Sequence, residues 1–529
     1  MTRERRQNFI GGAAILAGAV AVTKVIGALY KIPLGNLLDK EGMAHFYVAY
    51  NIYNLLVILS TAGLPLALSR LVAQAQALGQ ENQKRRVFRV ALALFLAMGL
   101  LFSGAMLFFP GQLAELLQDP MAAPAILALA PSVLCVCLLS AIRGYTQGQG
   151  NMKPTAVSQI IESASKLVVG LSLAYVLLRL GYGSHIAAAG AIAGVSAGSV
   201  LSLLLLGSYL FVRRGSTSGR DVPRSRRQIA GQLLRTGIPI TIGAGTMSCI
   251  TLLDQVLVMG TLQHQLGLSA EGATALYGEY TFGMTLFNLP SSFIYPVTVS
   301  LIPAISAALA RRDTAGASRS TQTAFRITAL LAFPAGVGLS VLAGPILQLL
   351  YPAVPETAAA AAYHLSVLGI ACIFVCLSIL TGGVLQAYGK EYIPVFSLLC
   401  GGLLKIIANY ALVANPDIGI KGAPIGTLCC YVLITLINLI AIHRCLERKP
   451  DYFAAFFRPA LVTAMMAIVA RGGYLLSQRL APGSRLAVVP VIAVAALIYG
   501  AAAVVLGAVR REDLLALPKG EKIANFLQI

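Results

Sequence analysis

The segment RGYTQGQGNMKPTAVSQIIESASKLVVG, residues 143–170, occurs again in altered form as GGVLQAYGKEYIPVFSLLCGGLLKIIAN, residues 382–409. A glutamine, a glycine and a lysine keep their spacing in both copies: Gln147, Gly150 and Lys166, then Gln386, Gly389 and Lys405. Six apolar spans separate the copies, and because six is even, both copies enter a membrane in the same direction. The repeat therefore predicts two parallel lobes, related by an axis along the membrane normal, with a substrate between them.

The composition around this repeat is that of a membrane protein. Of 529 residues, 57% are apolar and 11% are charged, and the mean hydropathy is +0.79. Apolar runs of about 20 residues, long enough to cross a bilayer as helices, recur from end to end. We therefore predict an all-α polytopic membrane protein with about 14 spans. They begin near Phe9, Tyr47, Val87, Ala122, Thr155, His185, Ile229, Tyr277, Ala324, Thr357, Ile393, Gly422, Ala454 and Leu486.

The repeat also divides the chain. Residues 1–225 hold spans one to six as a first lobe, and residues 226–450 hold spans seven to twelve as a second lobe. Residues 451–529 add a C-terminal helix pair and a cytoplasmic tail. The polar stretch GSTSGRDVPRSRR, residues 215–227, joins the two lobes as a loop.

The net charge of +20 is distributed as a topology signal. Thirty of the 40 lysines and arginines fall on segments that share one side, and the opposite loops carry acids such as Asp39 and Glu115. Basic residues in short loops mark the cytoplasmic side. The pattern predicts a multi-pass protein of the cell membrane with both termini in the cytoplasm. It favours contact with anionic membrane lipids and excludes a nucleic-acid partner.

Two lysines lie in the first span, within VTKVIGALYKIP, residues 22–33. A lysine at the centre of a lone membrane helix costs roughly 2.5–3.5 kcal/mol, so such residues face a partner or a wet cavity. Lys31 can also snorkel to the interface, an alternative that is weaker for Lys24. At the offset that aligns Tyr47 with Tyr277, Lys24 aligns with Asp254. We predict that Lys24 and Asp254 form the ion pair of an outer gate.

The repeated lysines lie near the middles of the fifth and eleventh spans. Lys166 follows Glu162 by one turn, so local neutralisation is one interpretation. Lys405 has no acid one turn away, so its counter-charge must come from another helix or from a substrate.

Four further polar residues have alternative interpretations that the sequence leaves open. Asn51 and Asn54 follow the tyrosines of the second span, where such a stripe can bind sugars or form an interfacial belt. Arg70 fits either the cavity or a positive-inside anchor. Glu279 fits either coupling or an acid favoured by a helix N-terminus.

Several motifs together resemble the polysaccharide-export branch of the multidrug/oligosaccharidyl-lipid/polysaccharide (MOP) superfamily. They are TKVIG at 23–27 with Lys31, STAGLPLALSRLVAQA at 60–75, and the two repeated motifs after the fourth and tenth spans. More narrowly, the chain is similar to the stage V sporulation protein B type of Gram-positive, MurJ-like lipid II flippases.

This resemblance implies a V-shaped, two-lobed cationic cavity that holds the diphosphate and sugars of a polyprenyl-linked precursor. The lipid tail would follow a groove involving the last two spans. The predicted cavity residues are Lys24, Lys31, Asn51, Asn54, Arg70, Lys166 and Lys405, and the predicted gate or coupling residues are Asp254, Glu162 and Glu279. The family commonly has basic residues, often arginine, where this chain has Lys24 and Lys31; a lysine replaces the bidentate fork with a point charge.

The predicted function is translocation of a lipid-linked oligosaccharide, most simply lipid II of peptidoglycan synthesis. The alternative is a cation-coupled multidrug exporter of the same fold. Short loops without paired carboxylates or a metal motif argue against an enzyme. No cofactor or metal is expected, and Na⁺ coupling, H⁺ coupling and the membrane potential all stay open as energy sources. A monomer is expected, with the cell-wall synthesis machinery as a candidate partner.

Overall fold

The computed structural model describes residues 3–212, 221–446, 449 and 451–509, and regular structure in these ranges is helical. The helices are α1 (Arg3–Leu37), α2 (Lys40–Thr61), α3 (Gly63–Ala77), α4 (Glu81–Phe108), α5 (Pro110–Leu116), α6 (Ala123–Gly148), α7 (Lys153–Ser165), α8 (Leu171–Arg179), α9 (Ser184–Val212), α10 (Arg226–His264), α11 (Ala270–Ala310), α12 (Thr314–Val341), α13 (Ala343–Leu350), α14 (Pro355–Ala387), α15 (Tyr392–Val413), α16 (Gly422–Cys445), α17 (Tyr452–Leu480) and α18 (Val488–Val505).

Thirteen helical segments in the described chain are long and apolar enough to cross a membrane. Each coincides with one of the predicted spans, and the remaining prediction, near Tyr277, falls on α11. Two spans are composite: α2 and α3 form one, and α7 and α8 form another through a π-helical segment at Lys166–Gly170. The all-α polytopic fold predicted from the sequence is confirmed.

The chain packs as two compact units, Met1–Gly278 and Glu279–Ile529. The first unit includes α10, which packs against α2 and α3. At this crossing a Cβ on Gly63 of α3 would collide with the backbone carbonyl of Gly237 on α10, so a glycine is needed for the close approach. The lobe boundaries predicted at residues 225 and 450 rest on the repeat and stay predictions.

The two repeated segments fold alike. In the first copy, Gly150 has φ of +80°, and its N–H donates to the carbonyl of Gln147 at 2.8 Å. In the second copy, Gly389 has φ of +71°, and its N–H donates to the carbonyl of Gln386 at 2.9 Å. Glycine reaches this left-handed conformation without a Cβ penalty, which explains why it ends the helix in both copies.

The helix pairs that follow these turns also cross at equivalent positions. In the first unit, a Cβ on Gly194 of α9 would lie 2.5 Å from the Cα of Gly170. In the second, a Cβ on Gly426 of α16 would collide with the side chain of Asn409. Gly170 and Asn409 occupy corresponding places in the repeat. Small residues at such crossings let membrane helices pack backbone to backbone.

The copies differ in one respect. The first carries the π-helical segment that begins at Lys166, whereas α15 of the second is α-helical through Lys405. A π-segment inserts one extra residue into a helix and is frequent at functional sites. It turns the side chains that follow it to a different face of the span.

The core of the second unit lies among α12, α14, α16 and α17. Buried Phe325 packs edge-on against Tyr452, with ring centroids 5.6 Å apart. Asn438 ties three helices together, because its Nδ2 donates to Thr381 Oγ1 at 3.1 Å and its Oδ1 accepts from Ser397 Oγ at 2.8 Å. Buried polar groups in a membrane span require such partners.

Candidate functional site

Helices α1 and α2 bring a cation against tyrosines. The Nζ of Lys31 donates to the hydroxyl of Tyr47 at 2.9 Å and lies 4.4 Å from the centroid of that ring. The same Nζ lies 5.7 Å from the centroid of Tyr50. Tyr47 and Tyr50 are one turn apart on α2, which places both on the face turned toward α1.

The π-helical segment brings a second cation to the same place. The Nζ of Lys166 donates to the hydroxyl of Tyr50 at 3.3 Å, and it lies 5.0 Å from the centroid of that ring. It also lies 5.1 Å from the ring centroid of Tyr30 on α1. Two ammonium groups therefore face one aromatic ring, that of Tyr50. We call Lys31, Lys166, Tyr30, Tyr47 and Tyr50 the lysine–tyrosine cluster.

The aromatic part of the cluster is held rigidly. The ring of Tyr50 stacks on Phe46 with centroids 5.5 Å apart and an interplanar angle of 12°. The hydroxyl of fully buried Tyr30 donates to the carbonyl of Ala191 on α9 at 2.9 Å. The tyrosine positions are thus fixed by packing and by backbone, so the lysines meet preformed aromatic walls.

The charge of the cluster is uncompensated within the described part of the chain. There, no carboxylate lies within 4.0 Å of the Nζ of Lys31 or Lys166. Cation–π contacts stabilise each ammonium by about 0.5–2 kcal/mol, less than the loss of its water shell inside a membrane. The arrangement therefore suits an anion that supplies the missing charge.

Glu162, which the sequence offered as a local partner for Lys166, pairs with a different residue. Its Oε2 accepts a hydrogen bond from a terminal nitrogen of Arg143 on α6 at 2.9 Å. The Nε of Arg143 donates to Ser158 Oγ at 2.9 Å, so the guanidinium is held on both sides. Local neutralisation of Lys166 by Glu162 is replaced by this pair across two helices.

The polar stripe of α2 reaches α10 at one point. Asn51 donates from Nδ2 to Oε1 of buried Gln255 at 2.6 Å. Asn54 is half-buried one turn further along α2. The two predicted asparagines therefore differ. Asn51 links α2 to α10, whereas Asn54 takes no part in that hydrogen bond.

The remaining predicted residues of the first unit are Lys24, Arg70 and Asp254, of which Lys24 lies close enough to Tyr50 of the cluster for its charge to act on that residue. Lys24 is exposed on α1, and Arg70 is exposed on α3. Asp254 is buried on α10, 6% exposed, next to Gln255. The gate pairing of Lys24 with Asp254 stays a prediction.

The second unit holds the last two predicted residues. Lys405 is buried in α15, 7% exposed, one turn before Asn409. Glu279 is half-buried in α11. Because α11 begins at Ala270, Glu279 lies nine residues inside the helix, and its interpretation as an acid favoured by a helix N-terminus is wrong. The binding role of Lys405 and the coupling role of Glu279 stay predictions.

Sequence reasoning missed three residues that organise the site: Tyr30, Arg143 and Gln255. Tyr30 immediately precedes Lys31 in the sequence. Arg143 was counted as a positive-inside residue of the motif after the fourth span, although it lies 19 residues before Glu162. Gln255 follows Asp254 directly, so adjacency to a residue already noted was the available signal for Tyr30 and Gln255, whereas no spacing in the sequence pointed to the Arg143–Glu162 pair.

The sequence matches two family models. A model described as "Polysaccharide biosynthesis protein" matches residues 9–309, and a model described as MatE matches residues 239–411.

Among curated proteins, two from Bacillus subtilis (strain 168) are informative. "Stage V sporulation protein B" is 29% identical over 452 residues, covering 83% of this chain and 85% of that protein. "Lipid II flippase MurJ" is 23% identical over 454 residues, covering 82% of each.

Solved structures share the fold at lower identity. The structure titled "Lipid II flippase MurJ, inward closed conformation" superposes with a TM-score of 0.68 at 15% identity, covering 94% of this chain and 98% of that one. An inward-facing multidrug resistance MATE family transporter of the MOP superfamily superposes with a TM-score of 0.61 at 15% identity, covering 85% and 94%.

Proposed function

The chain belongs to the polysaccharide biosynthesis protein family of the MOP superfamily, and from this premise we propose that it is a lipid-linked oligosaccharide flippase. Its substrate is a polyprenyl-diphosphate-linked saccharide of the lipid II kind, carried across the cytoplasmic membrane by alternating access. Similarity to "Stage V sporulation protein B" and "Lipid II flippase MurJ" supports this substrate class.

The observation that carries the proposal is the lysine–tyrosine cluster. A diphosphate is anionic and strongly hydrated, and it cannot cross hydrocarbon without groups that replace its water. Lys31 and Lys166 supply two ammonium donors that face the ring of Tyr50. Charge-assisted hydrogen bonds of this type are short and roughly twice as strong as neutral ones.

In this mechanism the residues of the first unit have separate roles. The two lysines hold the diphosphate, and the tyrosine hydroxyls, which already bond the ammonium groups, offer further donors to phosphate or sugar oxygens. The Arg143–Glu162 pair keeps its carboxylate away from the lysines, so the substrate meets no competing anion there. Binding then neutralises the cluster.

Neutralisation also suggests how the membrane potential could act. An empty carrier that moves one net positive charge across the field gains or loses about 2.3 kcal/mol per 100 mV. We propose that the potential drives the return of the empty carrier. Flipping measured in vesicles with an imposed potential, against vesicles with only a Na⁺ or a pH gradient, separates the three energy sources.

The direct test is flipping of fluorescent lipid II by the purified full chain in liposomes. Lys31→Gln and Lys166→Gln each remove one ammonium group, and we expect each to lower flipping about 10-fold or more, since a hydrogen bond to a charged group contributes about 1.5–3 kcal/mol. Lys153→Gln, at an exposed lysine that begins α7, is the matched control and should flip normally. Normal flipping by both cluster variants would contradict the proposal.

A second candidate function rests on a different residue. The match to MatE and the buried carboxyl of Asp254 favour a cation-coupled exporter. Efflux of a cationic dye by the same liposomes, abolished by Asp254→Asn, would support it. Flipping of lipid II without dye efflux would contradict the exporter and support the flippase.

We further propose that both termini face the cytoplasm. Cys445 is exposed at the end of α16, on a segment predicted to be inside. With the other cysteines removed, it should react with a membrane-impermeant maleimide only after the cells are opened. Ser269→Cys, just before α11, should react in intact cells, and the reverse pattern would invert the topology.

A further inference from the structure

A cavity of about 730 Å³ lies beside the start of α10. Its lining consists of two arginines, two glutamines and a glycine: Arg224, Gln228, Gly231, Gln232 and Arg235. Gln228, Gly231 or Gln232, and Arg235 follow one another at the spacing of a single helix face. The cavity belongs to the first unit and shares no residue with the lysine–tyrosine cluster.

Arg224, in the linker that precedes α10, is held in place by two residues of α4. Its N–H donates to Oε1 of Gln83 at 2.8 Å, and the carbonyl of Arg224 accepts from a guanidinium nitrogen of Arg86 at 3.3 Å. Its own guanidinium donates to Oε1 of Gln232 at 3.3 Å. The cavity therefore has one wall built from the linker and one built from the helix.

The electrostatics of the cavity are those of an anion site. It contains two guanidinium groups and no acid in its lining, and in the described ranges neither Arg224 nor Arg235 forms an ion pair. A Cβ added to Gly231 would meet nothing within 4 Å, so the space between the arginines is open. Arginine is suited to phosphate because its planar fork donates two parallel hydrogen bonds.

Exposed apolar side chains follow Arg235 along α10. Ile238 and Ile242 are 49% and 64% exposed, and they lie three and seven residues after Arg235, on the same face of α10. Arg224 precedes the candidate membrane span Arg226–His264, Arg235 lies in its first part, and the two isoleucines lie further along it. Two guanidinium groups followed by an exposed apolar stripe have the chemistry that recognises the phosphate and an acyl chain of a phospholipid.

We propose that this cavity binds an anionic phospholipid, with its phosphate between Arg224 and Arg235 and an acyl chain along Ile238 and Ile242. The lipid occupies a site separate from that of the transported substrate. Because the linker supplies Arg224, the bound lipid also fastens the linker to α10.

The test is native mass spectrometry of the purified full chain, titrated with phosphatidylglycerol or with zwitterionic phosphatidylcholine. We expect phosphatidylglycerol to bind preferentially. Arg224→Gln and Arg235→Gln should each weaken this binding about fivefold, the worth of one basic residue near an anionic lipid. Gly231→Leu, which places a bulky side chain in the open space between the arginines and keeps both charges, should remove the preference for phosphatidylglycerol.

Arg227→Gln is the matched control, because Arg227 is exposed on the same helical turn and does not line the cavity. Equal binding of the two lipids, or equal losses in Arg227→Gln and Arg235→Gln, would overturn the proposal. Displacement of phosphatidylglycerol by millimolar inorganic phosphate would identify a site for the free anion and overturn the lipid assignment. Competition by lipid II at this site, lost in Arg235→Gln, would mean that the cavity takes the transported substrate.

Discussion

Glu162 on α7 accepts a 2.9 Å hydrogen bond from the guanidinium of Arg143 on α6. The pair is mostly buried, with side-chain exposures of 21% and 12%. Glu162 is one turn from Lys166 in the sequence, but its carboxylate pairs with Arg143 instead. The positive charge of the lysine–tyrosine cluster therefore depends on an ion pair outside it.

Glu162→Gln tests how much this ion pair contributes to stability. The substitution leaves Arg143 without its counter-charge, and we expect a loss of about 2 kcal/mol in the free energy of unfolding, below the range for a fully buried pair because water still reaches the carboxylate. Glu81→Gln breaks the more exposed pair with Lys84 and should cost at most about 0.5 kcal/mol. Thermal unfolding followed by a thiol-reactive dye can measure both, since Cys135, Cys137, Cys372, Cys376 and Cys430 are free and buried. Equal stability of the two variants would contradict this expectation.

Tyr50→Phe separates the hydroxyl of Tyr50 from its ring. The ring contacts to both lysines remain, and the hydrogen bond from Lys166 is lost. We expect binding of lipid II, measured by native mass spectrometry, to weaken about fivefold, in line with about 1 kcal/mol for one hydrogen bond. Tyr175→Phe removes a similar hydroxyl, bonded at 3.0 Å to Arg179 on an exposed face, and should bind normally. Equal effects of the two variants would mean that the cluster has no special part in binding.

Gly194→Ala tests the close crossing of α9 with the π-helical segment. A Cβ there meets backbone of Gly170 at 2.5 Å, so we expect a loss of about 3 kcal/mol in the free energy of unfolding. Gly207→Ala, on the same helix with nothing within 4 Å, should instead gain about 0.5–1 kcal/mol, because alanine is the better helix former. The dye-based unfolding assay reports both changes. A stabilising Gly194→Ala would show that the two helices separate easily.

The contact between Asp221, in the linker, and the start of α4 should depend on pH. Its carboxylate accepts the N–H groups of Asn82 and Gln83 at 2.9 and 2.7 Å, capping the start of α4. Partial desolvation raises the pKa of Asp221, but these two hydrogen bonds and one from its own backbone N–H together outweigh it, so the pKa lies below its ordinary value. A lowered pKa means that the contact is fully formed above the ordinary pKa and is lost as the pH falls through the lowered value.

Hydrogen exchange of a peptide spanning residues 81–86 measures this contact. We expect slow exchange of the Asn82 and Gln83 amides at pH 7, and loss of protection, after correction for intrinsic rates, only below about pH 4. Asp221→Asn should remove the pH dependence. Asp451→Asn, at a carboxylate that caps its own helix through Ala454, should leave the peptide unchanged. Equal protection of this peptide at pH 7 in Asp221→Asn and the wild type would rule out the carboxylate as the cap.

The sequence by itself determined the class of fold. Hydrocarbon thickness fixes the length of an apolar span, so the spans could be read from composition, and the structure places a helix at each of them. The repeat could also be recognised in the sequence, because Gly150 and Gly389 both occupy a left-handed turn that other residues reach only with strain.

Only the tertiary structure decided which charges meet. Sequence spacing proposed Glu162 as the neighbour of Lys166, because residues one turn apart share a helix face. Packing of α6 against this span supplied a nearer arginine, and packing of α1 and α2 set Tyr30 and Tyr50 around the lysine. Periodicity reports the face on which a side chain lies, whereas its partner comes from another helix, whose approach depends on small residues such as Gly194 and Gly170 that carry no charge signal.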